Sequence, residues 1–191
     1  MIKKLLTAAA FFLAAGPALG ETPAGQAYTE GKYFSVVFPP GWVQKEEGLG
    51  LPAGEKKVYG TEFFGPVAGE LAVRIGVHYY APGNLVHKTP EKFIKLHSQP
   101  ALGVNLDGKI YGKVKTGKAG NYYAKLFERE VFEYEPKSAL HPEKISVYES
   151  FAVAPVKNGF FVLHYYAPKA IAKANLKSYE AVLASFKPLL R

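Results

Sequence analysis

Gly159-Phe160-Phe161-Val162-Leu163-His164-Tyr165-Tyr166-Ala167-Pro168 opens a run that ends in Ser185-Phe186-Lys187. It reads as strand, stop and closing helix. Both faces of the strand are apolar or aromatic, the pattern of a central strand covered on two sides. Pro168 has no amide hydrogen to give to a ladder, so pairing is expected to end there. From about Asn175, the residues Leu176, Tyr179, Val182, Leu183 and Phe186 recur at helical spacing. They form an apolar stripe that can lie back on the sheet. The pentapeptide His164-Tyr165-Tyr166-Ala167-Pro168 also occurs word for word as His78-Tyr79-Tyr80-Ala81-Pro82. The chain therefore reads as a sheet held between two strand-turn-helix units.

Residues 1–20 are expected to be a signal peptide and not part of the fold. Lys3 and Lys4 form a basic start, residues 5–15 an apolar core, and Ala18-Leu19-Gly20 a small-x-small cleavage site. Removing 20 of 191 residues leaves 171, the size of one domain with a real core. No other apolar run approaches the roughly 20 residues needed to span a bilayer, and no cysteine follows the cleavage site to carry a lipid. The expected product is soluble and either periplasmic or secreted. The chain has no cysteine, and 48% of its residues are hydrophobic, so burial must do what disulfides do in many exported domains.

The formal charge of +8 falls to +6 without Lys3 and Lys4. Outside the cytoplasm such a protein meets anionic head groups and acidic polymers more readily than nucleic acid. No nucleic-acid motif is present, and the aromatics alternate as core residues do, with no stacking surface. Lys109, Lys113, Lys115 and Lys118 are the densest basic cluster. They read as a solvated hairpin that resists edge pairing, or as a weak contact for an anionic surface.

In chain order, 21–31 reads as a flexible lead-in and 32–191 as a single domain. Strands are expected over 32–38, 56–64 and 70–80, with a turn over 65–69. In the third, Leu71, Val73, Ile75, Val77 and Tyr79 share one face and Ala72, Arg74, Gly76, His78 and Tyr80 the other. Thr89-Pro90-Glu91 is a helix start: hydroxyl cap, proline in the first turn, acid near the positive dipole end. A hairpin follows from 108–114 and 121–134 around a Gly- and Lys-rich turn at 115–120. A strand over 145–156 and a short turn at 157–159 lead into the final strand.

Two stretches resemble a known family. Tyr33-Phe34-Ser35-Val36-Val37-Phe38-Pro39-Pro40-Gly41-Trp42 near the start, and Tyr179, Val182-Leu183 and Ser185-Phe186-Lys187 near the end, are similar to those of PsbP-like proteins. The family includes the extrinsic oxygen-evolving-complex protein of photosystem II and exported bacterial relatives. The resemblance implies an α+β fold, an α-β-α sandwich around a mainly antiparallel sheet, with a non-catalytic role in assembly or binding. The long segment that precedes the first strand in photosynthetic members is not seen here, and no metal or binding residue carries over.

The search for chemistry returns mostly absences. There is no thiol, Asp107 is the only aspartate, and no serine sits in a Gly-x-Ser-x-Gly elbow. No His-Glu-x-x-His helix and no phosphate-cradling glycine loop is present. Glu128, Glu130, Glu133 and Glu135 offer carboxylate pairs, or exposed hairpin charges interleaved with Arg129. His78 and His164, each with a tyrosine two residues on, invite a ligand site; they also suit strand ends whose rings pack while polar tips reach water. His87, His97 and His141 read as loop or helix-end residues, and Trp42 as a core plug.

No cofactor and no metal is expected. The first functional reading is an exported, non-catalytic binding or assembly module of the cell envelope, its partner another envelope protein. Any specific site would then lie at His78, Tyr80, His164 and Tyr166, where strand ends present side chains. The second reading is a carrier of a small apolar or aromatic ligand. The third is a hydrolase built on His and Glu, which requires an open cleft with a histidine within reach of Glu or Ser.

Overall fold

A computed structural model of the protein describes residues 25–45, 51–101, 103–105 and 108–190. The signal peptide expected over 1–20 and Asp107 lie outside the described residues. In order, the elements are β1 (Gln26–Glu30), β2 (Phe34–Phe38), β3 (Val43–Lys45), α1 (Ala53–Lys56), β4 (Val58–Ala68), β5 (Leu71–Tyr80) and α2 (Pro90–Ser98). Then come β6 (Ile110–Tyr111), β7 (Lys115–Ala119), β8 (Tyr122–Glu135), β9 (Glu143–Val156), β10 (Gly159–Pro168), α3 (Lys169–Ser185) and β11 (Lys187–Pro188). Eight of the strands form one sheet in the order β3-β4-β5-β10-β9-β8, with β6 and β7 both along the outer edge of β8. A second sheet of three runs β1-β2-β11. Every pairing is antiparallel.

β10 lies inside the large sheet, between β5 and β9, as its two apolar faces require. Its odd positions Phe161, Leu163 and Tyr165 face α3 and the small sheet. There they join Val73, Ile75 and Val77 of β5, Phe34 and Phe38 of β2, and Tyr179, Val182 and Phe186 in one buried cluster. The rings interlock: Phe38 stacks on Phe63 at 3.9 Å, and the Phe186 ring is 5.2 Å from Phe161 and 6.1 Å from Phe34. We call this the closed face. The other face is covered at one end only, where α2 lays Phe93 over Phe127, Phe151, Phe160 and Val162. This is the open face, and helices on both sides make the α-β-α sandwich.

α2 begins as expected: the Thr89 hydroxyl accepts the Lys92 amide at 3.2 Å, and the helix stops before Pro100. Four local expectations are corrected. The lead-in over 21–31 contains β1, because Tyr28 is drawn to the rings of Phe34, Phe38 and Phe63. The turn over 65–69 shrinks to Gly69-Glu70, and β4 runs on to Ala68 through a bulge between Phe64 and Val67. That bulge takes up Pro66 and leaves Gly65 so close to Trp42 that a Cβ would stand 2.5 Å from the indole. The Lys-rich turn over 115–120 is a strand, since Ala119 belongs to the buried core and the reversal is made at Gly120-Asn121. Finally, α3 starts at Lys169 and not near Asn175: Pro168 supplies the entry angle, and Ala170, Ala172 and Ala174 favour helix.

The last turn of α3 is a junction. The Ser185 hydroxyl accepts the Val37 amide at 2.9 Å and donates to the Val182 carbonyl at 3.0 Å. The Gly120 amide donates to the Leu183 carbonyl at 2.6 Å. Gly120 has φ 55°, and a Cβ there would meet the Phe186 carbonyl oxygen at 2.2 Å, so only glycine fits. Among the described residues no helix is long and apolar enough to cross a membrane.

Candidate functional site

Strand alternation and register decide what stands on the open face. One row across the sheet is Phe64, Arg74, Tyr166, Glu149 and Arg129; the next is Glu62, Gly76, His164, Phe151 and Phe127. The first row alternates rings with charges. The Arg74 guanidinium lies 3.7 Å from the Tyr166 ring centroid, a cation–π stack, with Phe64 at 5.9 Å. Arg129 Nε donates to Glu149 Oε2 at 2.5 Å, and its guanidinium sits 5.3 Å from the Phe151 ring.

Glu149 is the anchor of this strip. It is 4% exposed in the middle of a strand face that is otherwise Val147, Phe151 and Val153. A lone buried carboxylate would be costly. Here its two oxygens are shared between Arg129 and His164, whose Nε2 stands 2.9 Å from Oε1. Burial pushes the carboxyl up, but His164 and then Arg129 outweigh it and hold it at about 2. His164 is fixed in turn by lying flat on Phe151, centroids 4.3 Å apart and planes 8° from parallel.

The four residues expected to mark a site share the open face, but not one end of it. β5 and β10 run antiparallel, so Tyr80 pairs with Phe160 at one end while Tyr166 pairs with Arg74 towards the other. His78 and His164 fall between them, flanking Gly76. The missing side chain at Gly76 leaves room that the His78 imidazole and the Glu62 side chain take: a Cβ there would be 3.2 Å from each. Tyr80 stacks on Phe160 at 4.8 Å and belongs to the α2-covered end. The Tyr166 hydroxyl is buried and makes no hydrogen bond. So His164 and Tyr166 stand in the strip, His78 borders it, and Tyr80 is packing.

Arg74, Arg129 and Glu149 were not among the expected site residues, and Glu149 is the one with a visible signal. A carboxylate in an unbroken apolar alternation needs a buried partner, and only the register names it. His97 stands in the last turn of α2 as expected, but its burial carries no signal in the sequence. Both its ring nitrogens are buried without a partner, beside Phe93 at 4.3 Å and Phe151 at 5.4 Å. Burial, with help from the Arg129 charge, lowers it to about 4, and burial lowers His87 as well.

Two depressions adjoin these features. One of about 240 Å³ opens at the strip's end, among Lys45, Phe64, Arg74, Glu133, Lys137 and Tyr166. The other, about 400 Å³, lies on the closed-face side between α3 and the β6–β7 edge, lined by Lys113, Lys115, Leu126, Leu176, Tyr179 and Leu183. Among the described residues no three His, Asp or Glu side chains gather as a metal-binding group. Of the carboxylate pairs, Glu130 is bound to Lys169 at 2.6 Å.

No protein-family profile matches the chain, and neither does any curated protein. Solved structures do. The solution structure of cyanobacterial PsbP (CyanoP) from Synechocystis sp. aligns with a TM-score of 0.50 and 11% identity, over 92% of this chain and 98% of that one. A crystal structure from Bacteroides thetaiotaomicron aligns with a TM-score of 0.51 and 14% identity, over 86% of this chain. The match spans about half of that chain, 48% of its length. The fold is PsbP-like, as the resemblance of 33–42 and 179–187 implies.

Proposed function

We propose that the protein is an exported, non-catalytic binding module of the cell envelope, and that it presents the open face to a partner protein. The observation that carries this reading is the row Arg74–Tyr166–Glu149–Arg129. Arg74 and Arg129 reach the surface there, held in place by the buried Tyr166 ring and Glu149 carboxylate beneath them, on the part of the sheet that α2 leaves uncovered. Arg and Tyr with little rotamer freedom to lose are the residue types that anchor interfaces. The PsbP-like fold supports the same reading, and so does the signal-peptide pattern of residues 1–20. Arg74→Ala should abolish capture of the partner from the envelope fraction while leaving the melting temperature within a few degrees. The double change His78→Ala with His164→Ala, which also takes a partner from the buried Glu149, should lower melting and is scored as capture per folded molecule. Loss of melting with unchanged capture per folded molecule would make these side chains structural and remove the site.

One observation favours a hydrolase: a histidine at 2.9 Å from a carboxylate on a half-open face. The rest of the dyad's geometry favours a structural role. Glu149 is also tied to Arg129, the imidazole is clamped on Phe151, and the nearby hydroxyls of Ser146 and Ser150 belong to the opposite face by alternation. Turnover of simple aryl esters or glycosides that disappears in His164→Ala would overturn the non-catalytic reading.

A further inference from the structure

The stretch from 108 to 127 contains Lys109, Lys113, Lys115, Lys118 and Lys125 and not one acidic residue. The fold places it along one edge of the large sheet. β6 and β7 lie end to end against β8, and the β7–β8 hairpin is tied down at its tip by the Gly120–Leu183 hydrogen bond. The edge is therefore rigid. By alternation Thr116, Lys118, Tyr123 and Lys125 share one side of the hairpin, and Lys115 and Tyr122 the other.

Among the lysines stand apolar side chains with no core to fill. Ile110 is 57% exposed, Val114 41%, Tyr122 44% and Tyr123 51%. Lys113, Lys115 and Lys118 form no ion pair among the described residues. Lys125 donates to the neutral Thr116 hydroxyl at 3.2 Å and lies 5.4 Å from the Tyr123 ring, so its charge is not cancelled. Glu128, Glu130 and Glu180 are carboxylates that border the edge, on its α3 side with Lys113 and Lys115, and Glu130, paired across from Ile110, is already bound to Lys169 at 2.6 Å.

We propose that this edge docks on an anionic lipid surface. Lysines are attracted to head groups, each adding roughly fivefold to partitioning near a charged membrane. Exposed tyrosines and aliphatic residues between them suit the interfacial layer, where a ring can bury its body and keep its hydroxyl wet. A soluble polyanion would need the lysines alone; the interleaved Ile110, Val114, Tyr122 and Tyr123 are what select a bilayer. Docking of this kind is reversible and disappears as salt rises.

The test is co-sedimentation of the purified protein with vesicles of phosphatidylcholine alone or with about a third phosphatidylglycerol, across a salt series. Binding should require phosphatidylglycerol. The triple variant Lys113→Gln, Lys115→Gln, Lys118→Gln should lose at least tenfold, while Lys92→Gln, Lys95→Gln, Lys177→Gln, with the same net charge, should bind as the parent does. Tyr122→Ser with Tyr123→Ser should weaken vesicle binding several-fold yet elute from a heparin column at the parent's salt concentration. Tyr123→Trp should shift its emission to the blue on the charged vesicles. Equal loss in both lysine triples would reduce the effect to net charge. Unaltered vesicle binding in the tyrosine variant would indicate a polyanion site, and no binding to charged vesicles would indicate neither; each of these overturns the proposal. Thermal melting of every variant separates a failed fold from a lost surface.

Discussion

The two copies of His-Tyr-Tyr-Ala-Pro show how little a pentapeptide decides alone. In both, the first tyrosine turns to the closed face and gives its hydroxyl to a carbonyl: Tyr79 to Asn158, and Tyr165 to Ala172 at 2.8 Å. In both, histidine and the second tyrosine face the other way. There the likeness stops. His164 has Glu149 diagonally across from it on β9, whereas His78 sits beside Glu62, which is 4.0 Å from Arg74. Tyr166 is buried beneath Arg74, whereas Tyr80 packs with Phe160 under α2. Pro168 is still in register with Val147 and opens a long helix, whereas β5 has ended before Pro82. Each copy satisfies the same backbone need on one face, and its neighbours decide the rest on the other.

The comparison breaks most visibly if the shared role of the first tyrosine is wrong. Tyr79→Ala and Tyr165→Ala should each cost about 3–5 kcal/mol in urea denaturation, the range for a large buried ring, and Phe186→Ala should fall in the same range. A value below about 1 kcal/mol at any of them would mean that the ring is not core.

Next come the carboxylates that tell the copies apart. Glu149→Ala strands Arg129 and His164 and should cost about 3 kcal/mol. Glu62→Ala removes only a loose, partly exposed pair and should cost less than about 1 kcal/mol. Similar losses at the two sites would erase the distinction between strip and border.

Acid should sharpen it further. His97 stays neutral in the fold down to about pH 4 but takes a proton near 6.5 when unfolded. The unfolded chain then holds more protons, so stability should fall as pH drops through that window. Glu149 titrates near 2 in the fold against an ordinary 4.5, so its contribution should be lost between those values. In denaturant midpoints measured against pH, His97→Leu should flatten the upper limb and Glu149→Gln the lower. Unchanged limbs would remove either group from the account.

The finest test is one of equality. Tyr79→Phe and Tyr165→Phe delete one hydroxyl each and should each lose about 1 kcal/mol. Unequal losses would show that the two hydrogen bonds differ.

Much of the fold was legible because period-two alternation carries most of the information in a sheet. Leu71 to Tyr80 and Ile145 to Val153 show their alternation in the sequence, and Thr89-Pro90-Glu91 shows a helix start. The motifs behind the family resemblance also acquire causes: Trp42 needs Gly65 opposite it, and Ser185-Phe186 is a clamp followed by a core plug. β1 was missed because a strand of five residues with one aromatic differs little from a loop in composition. The strip was half legible. Alternation puts His164, Tyr166 and Glu149 on faces, but their meeting depends on register between strands, which no local pattern specifies. Nor could the copies of the pentapeptide show that their strands run in opposite directions and so put their ends apart.

The clamp at Ser185 ties the order of folding to the length of chain in hand. It joins Val37 to a residue 148 positions away, and β11 completes the edge of β2 through Ser35 and Lys187. Contacts so distant in sequence form slowly, because a long loop must close before it is repaid. Until the Phe186 ring arrives, Phe34 and Phe161 have lost a wall of their pocket and the hairpin tip at Gly120 has no carbonyl to hold. A chain emerging from the ribosome therefore cannot shut this core before Ser185 and Phe186 have emerged.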